Sequence, residues 1–218
     1  MKFDAESGTV KERYRSDPGN PSTLSDDRVM SLAKDKSGFI WIGTDDGLNR
    51  FNPASGEFTQ FLTKPQNPLA TTQDRIWGIY PDPVENALWI CTDTKGLYRY
   101  DTGDGKFQRY SGDATDKSGL RSSKVLCAFR DRSGVLWVGT EARLYKNDPS
   151  RIKFVNYEAN PADRSGISSN NVYKNIPSST EEGFLWIATY GRGLETFNEK
   201  TGSFTHFRAD PSKKEFSE

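Results

Sequence analysis

The sequence is poor in the residues that do metal and nucleophile chemistry. Its 218 residues contain one histidine, His206, and two cysteines, Cys91 and Cys127. One histidine excludes a multi-His zinc site and leaves a Ser-His-Asp arrangement a single candidate base. Two cysteines build neither a disulfide framework nor a four-cysteine metal site, and they read as two small buried side chains. No apolar run approaches the ~18 residues of a membrane helix. The stretch Met1 to Tyr14 is charged throughout, unlike a signal peptide, so any export signal has been removed or lies elsewhere. Charge of one sign is also missing: 30 Lys+Arg face 30 Asp+Glu. That removes the basic excess of a nucleic-acid binder. No window shows a helical period, and 19 Gly and 11 Pro puncture every candidate.

What the sequence does have is aromatics, 12% of residues against only 33% hydrophobic ones. That share argues against disorder, and the rings recur at a fixed interval. Tryptophans stand at 41, 89, 137 and 186, spaced 48, 48 and 49 apart. Around them the text repeats: GFIWIGTDDGLNRF from Gly38, NALWICTDTKGLYRY from Asn86, GVLWVGTEARLYKN from Gly134 and GFLWIATYGRGLETF from Gly183. Upstream lie apolar stretches beginning at Val29, Ile76, Val125 and Val172. Downstream lie aromatic-ended stretches: GEFTQF from Gly56, GKFQRY from Gly105, IKFVNY from Ile152 and GSFTHF from Gly202.

Each copy reads as four short antiparallel strands. Asp35 to Gly38 and Asp131 to Gly134 suit the first hairpin, and Asp45-Asp46-Gly47 and its equivalents suit the second. Repeated four-stranded units of ~40–50 residues are the mark of a β-propeller. A single twisted sheet has two apolar faces, and packing sheets about an axis buries both. The reading is therefore all-β, with Trp41, Trp89, Trp137 and Trp186 wedged between neighbouring blades. Gly43 and Gly139 let blades approach closely, and Cys91 and Ala188 are the small substitutes. Trp77 reads as a further core ring.

Complete blades are assigned to 29–62, 76–110, 125–157 and 172–207, with strands three and four of another blade in 1–15 and a polar tail in 208–218. About four and a half repeats make an awkward ring. An open arc leaves sheet faces and edges uncovered. The expectation is a piece of a longer propeller; a compact ring closed by terminal strands, or closure by self-association, stays open.

The repeat V-x-x-x-x-D-x-x-G-x-x-W-I-G-T-x-x-G-L-x-R-F, seen over Val29 to Phe51 with local spacing, resembles the two-component regulator propeller repeat. So do the connectors Asn20 to Ser25 and Ser165 to Ser168. The resemblance covers nearly the whole chain. It implies a periplasmic sensor region of a bacterial hybrid histidine kinase or diguanylate cyclase, where seven-bladed propellers precede an immunoglobulin-like domain, a membrane helix and signalling modules. It also implies sensing of a ligand, often a glycan fragment. The chain carries no kinase or cyclase motif, so no catalytic residue, cofactor or metal is assigned. The second copy departs from the pattern at Asn86 and the third at Ala142-Arg143. A sialidase Asp-box is one residue shorter than the D-x-x-G-x-x-W here, so that likeness is architectural only.

In a propeller the connections entering strand one and those between strands two and three emerge on one face, where ligands commonly bind. The first set supplies Asp27, Arg28, Asp74, Arg75, Lys124 and Asn171, together with Asp26, Gln73, Ser123 and Asn170. The second supplies Asp45, Asp46, Asp93, Lys95, Glu141, Arg143, Tyr190 and Arg192. Arg28, Arg75, Arg143 and Arg192 can hold carboxylate or sulfate groups, and Tyr190 can stack on a sugar. Polar loops also arise simply because water surrounds them. Asp45-Asp46 makes a poor acid/base or calcium pair, because adjacent strand residues point apart. His206 reads as a surface residue. The expected partners are a carbohydrate or other small polar ligand and further blades or a downstream domain of the same receptor, with no nucleic acid. A protein-binding scaffold and a propeller lyase or glycosidase remain as alternatives.

Overall fold

In the computed structural model, residues 1–61, 74–110, 119–147, 154–160, 162–163 and 165–208 are described. Gln73, Ile152 and the tail beyond Arg208 lie outside them. Every regular element among the described residues is a β-strand. The chain divides into two compact units, Met1–Ser111 and Gly112–Glu218.

The first unit opens with a two-stranded hairpin, β1 (Lys2–Asp4) and β2 (Thr9–Glu12). Two four-stranded sheets follow, each a simple antiparallel meander. One holds β3 (Val29–Lys34), β4 (Ile40–Thr44), β5 (Gly47–Phe51) and β6 (Phe58–Gln60). The next holds β7 (Ile76–Pro81), β8 (Ala87–Thr92), β9 (Leu97–Asp101) and β10 (Phe107–Tyr110). The second unit repeats the plan. Its third sheet has β11 (Val125–Arg130), β12 (Leu136–Thr140), β13 (Leu144–Asn147) and β14 (Phe154–Tyr157). Its fourth has β15 (Val172–Pro177), β16 (Phe184–Thr189), β17 (Gly193–Asn198) and β18 (Ser203–Phe207). This is the propeller architecture that the repeat predicts.

The cores lie where one sheet covers the next. Trp41 of the first sheet, 1% exposed, packs with Ile76, Leu88, Ile90, Tyr98 and Tyr100 of the second. Its ring centroid lies 5.1 Å from that of Tyr100. Trp137 of the third sheet, fully buried, packs with Val172, Leu185, Ile187 and Phe197 of the fourth. Its centroid lies 5.3 Å from Phe197, close to edge-on. The glycines two residues beyond these tryptophans mark the tightest approach. A Cβ on Gly43 would sit 2.7 Å from Ile76 Cγ2, and one on Gly139 would sit 2.6 Å from Cys127 Sγ and 3.0 Å from Val172 Cγ1. Both cysteines are free and buried.

One irregularity recurs. The ladder between strands one and two slips after its first pair in all four sheets, leaving Met30, Trp77, Leu126 and Tyr173 as the extra residues. These are β-bulges, placed beside the loops that carry the charged residues.

Three of the four first hairpins are held by one aspartate each. Asp35 Oδ1 accepts the amides of Ser37 (2.9 Å) and Phe39 (3.0 Å), and its Oδ2 accepts the indole N–H of Trp41 at 2.7 Å. Asp82 does the same for Val84, Glu85 and Trp89, and Asp131 for Ser133, Val135 and Trp137. One carboxylate thus closes a turn and satisfies a buried donor together. The fourth sheet has Ser178 at this position, its amide bonded to Phe184 O in the same way, and Trp186 is only half-buried.

Candidate functional site

The two loop sets meet in every sheet through a backbone bond. The amides of Asp45, Asp93, Glu141 and Tyr190 donate to the carbonyls of Arg28, Arg75, Lys124 and Asn171. The second hairpin is braced from within by a buried threonine. Thr44, Thr92, Thr140 and Thr189 each donate to the carbonyl that closes the turn, at 2.8–3.0 Å. The charged tips therefore stand on a rigid base.

In the first unit these tips join into one array. Asp45, its side chain 7% exposed, pairs with Arg28 Nη2 at 2.7 Å and with Arg75 Nε at 2.5 Å. Arg75 Nη2 completes a fork on it at 3.2 Å. The carboxylate raises the Arg75 pKa. The Arg75 guanidinium lies 4.8 Å from the centre of the Trp77 ring, whose N–H donates to Asp93 Oδ1 at 2.8 Å. Trp77 is thus a half-buried residue of the loop face rather than a core ring. Asp74, 1% exposed, takes the amide of Thr94 at 3.0 Å on one oxygen, and its other oxygen is buried without a hydrogen bond. Asp27 accepts the amide of Ser16 at 2.7 Å, and the amide of Asp46 donates to Thr44 Oγ1. The carbonyl of Lys95 accepts Arg109 Nε.

The second unit is arranged differently. Lys124 pairs with Glu141 at 3.4 Å, and Arg143 pairs with Glu158. Asn171 Oδ1 is buried without a hydrogen bond, and Tyr190 is 72% exposed. Arg192 is exposed and lines a cavity of about 700 Å³ with Ser168, Asn170, His206 and Arg208. Glu195, fully buried, accepts from Ser168 N and Oγ and lies 3.3 Å from His206 Nδ1. His206 is therefore a partly buried partner of a carboxylate, not a bare surface residue.

Sequence reasoning missed these second-layer groups. Asn49, Tyr145 and Glu195 occupy the same strand-three position, and each takes the amide of the connector residue four before strand one: Ser25, Arg121 and Ser168. The signal was their fixed place one residue after the turn Leu; their differing chemistry hid it. Neither cysteine offers a nucleophile: both are buried, and burial pushes the Cys127 thiol up to about 11. Among the described residues no cluster of His, Cys, Asp and Glu could hold a metal ion, and no helix is long and apolar enough to cross a membrane.

The profile of the two component regulator propeller family matches residues 23–46 and 119–142. No curated protein sequence matches the chain. Among solved structures, the extracellular domain of the BT3049 hybrid two component system of B. thetaiotaomicron is similar at 27% identity and TM-score 0.72. That match covers 85% of this chain and 25% of the other. The extracellular domain of BT4673 from the same organism is similar at 17% identity and TM-score 0.65, covering 86% and 22%. Virginiamycin B lyase from Staphylococcus aureus shares 14% identity at TM-score 0.64, covering 94% and 61%. The last two likenesses carry the fold alone. The chain spans about a quarter of the length of the two-component domains it matches.

Proposed function

We propose that this chain, a protein of the two-component regulator propeller family, is a ligand-sensing module from the extracytoplasmic part of a bacterial two-component receptor. The observation that carries the reading is the match to the BT3049 extracellular domain over 85% of the chain. The loop face supports it: charged and aromatic side chains are pre-positioned there by buried threonines and by ion pairs, so a ligand meets them without much ordering cost. The ligand class we favour is polar and small, such as a glycan fragment, with Tyr190 and the Trp77–Arg75 stack as surfaces for a sugar ring. Further blades or a downstream domain are the intramolecular partners. Binding would act by favouring one packing of the propeller on that domain. A catalytic role finds no support in the lyase likeness, which is confined to fold.

The test is a calorimetric and thermal-shift screen of the full chain against an oligosaccharide panel. A glycan that raises the melting temperature, with the gain lost in Arg75→Ala or Tyr190→Ala, supports the sensor. Silence across the panel together with stable capture of a protein partner would move the assignment to an interaction scaffold. Turnover of a polysaccharide, abolished by His206→Ala, would move it to a lyase or glycosidase.

A further inference from the structure

Three of the four loop-tip arginines, Arg28, Arg75 and Arg143, are paired with carboxylates of the chain itself. Arg28 and Arg75 share Asp45, and Arg143 has Glu158. Arg192 is the exception, and the third and fourth sheets show why it matters. In the third sheet the second hairpin supplies Arg143, and the residue directly after strand four is Glu158. In the fourth sheet the same hairpin supplies Arg192, and the residue directly after strand four is Arg208. A carboxylate has been replaced by a second guanidinium.

The backbone brings these two residues side by side. Gly193 sits at φ +94°, and a Cβ there would lie 2.6 Å from the Phe207 carbonyl oxygen and 3.8 Å from Arg208 Cα. The hairpin is thus pressed against the end of β18. Arg192 and Arg208 both line the cavity of about 700 Å³ and both recur in an adjoining cavity of about 270 Å³. Among the described residues neither has a carboxylate partner. Asp163 lines the same cavity but has its carboxylate held by Ser165 N and Oγ rather than by either arginine, and Glu195 is buried behind Ser168 and His206. Both side chains are exposed at the mouth of this concave site, where two like charges favour an anion between them. Guanidinium forks match oxyanions, carboxylates among them, and in the third sheet it is a carboxylate, that of Glu158, that pairs with the arginine of this hairpin.

We propose that this cavity binds a carboxylate-bearing small molecule, whose carboxylate stands to Arg192 as Glu158 stands to Arg143. Only the biological use of such binding rests on the sensor reading. The test is a titration of the full chain by heteronuclear NMR with sodium D-glucuronate, succinate and D-glucose. The expected result is binding of at least one carboxylate probe with shifts at Arg192 and Arg208, weakened by added salt, and no binding of glucose. Glucuronate alone points to an acidic sugar and succinate alone to an organic acid. Arg208→Glu, which restores the third-sheet arrangement, should abolish binding while leaving the fold intact. Arg192→Lys should weaken it about tenfold, because charge remains but the fork is lost. Carboxylate binding undiminished in Arg208→Glu, or the absence of any carboxylate binding at millimolar concentration, overturns the proposal. So does glucose binding in this cavity as tightly as glucuronate. A neutral glycan held elsewhere on the loop face, indifferent to Arg208→Glu and with no carboxylate bound here, would sink this pocket and spare the sensor.

Discussion

Trp137 and Trp186 occupy the same place in the repeat but live in different surroundings. Trp137 is fully buried, its N–H bonded to Asp131 at 2.5 Å and its ring against Phe197 of the following sheet. Trp186 is half-buried, stands on a hairpin that has Ser178 instead of aspartate, and touches Phe207 of its own sheet at 5.4 Å. The difference teaches that the motif by itself does not make a core tryptophan. A covering sheet supplies the apolar contact, and an aspartate supplies the acceptor that lets the indole N–H be buried.

The comparison can be broken at three points. The largest effect is expected from Trp137→Ala, which opens a cavity in a closed seam and should cost about 3–5 kcal/mol. Trp186→Ala should cost about 1–2 kcal/mol, since less area is lost. Urea denaturation of both variants checks this, and equal losses would refute the distinction. Next comes the acceptor. Asp131→Ala strands the indole N–H and the amides of Ser133 and Val135, at about 2–3 kcal/mol. The reverse change, Ser178→Asp, should stabilise the fourth hairpin by about 1 kcal/mol; calorimetric melting that shows a loss would mean Trp186 cannot reach it.

The smallest effect concerns pH. Burial, then the neighbouring Asp131 carboxylate, pushes the Glu199 carboxyl up to about 7. The folded chain therefore keeps a proton that the unfolded chain releases between the ordinary value of 4.5 and about 7. Stability from this group is full below that window and is lost as pH rises through it. Solvent screening of this half-buried side chain holds the loss under about 1 kcal/mol. Glu199→Gln should flatten the slope of melting temperature against pH in that window, and an unchanged slope would assign it to another group.

The fold was legible because period, Trp and turn glycines repeat in the text. Strands one and two and the close approach of Gly43 to Ile76 stem from positions that keep their character in each copy: β-branched at the start of strand one, small two residues after the Trp. The site was legible only as a set of loops. Whether Arg75 is free or paired depends on Asp45, which is 30 positions away and on another sheet, and no local pattern encodes that distance. Asp131 was read as a turn residue, and its second oxygen, aimed at Trp137, became visible only with the hairpin folded. Glu195 lay hidden because Asn49 and Tyr145 do its work in the other sheets with different atoms.

The bulges at Met30, Trp77, Leu126 and Tyr173 carry a consequence of their own. Each is a surplus position that the ladder steps over; Met30 and Tyr173 are exposed there, Trp77 is half-buried and Leu126 is buried, so the first two can change without shifting the register of the residues after them. Met, Trp, Leu and Tyr already differ in size and polarity there while the strands around them coincide. Swapping one exposed ring or thioether for another at such a position would change the surface of the loop face while leaving the ladder in frame.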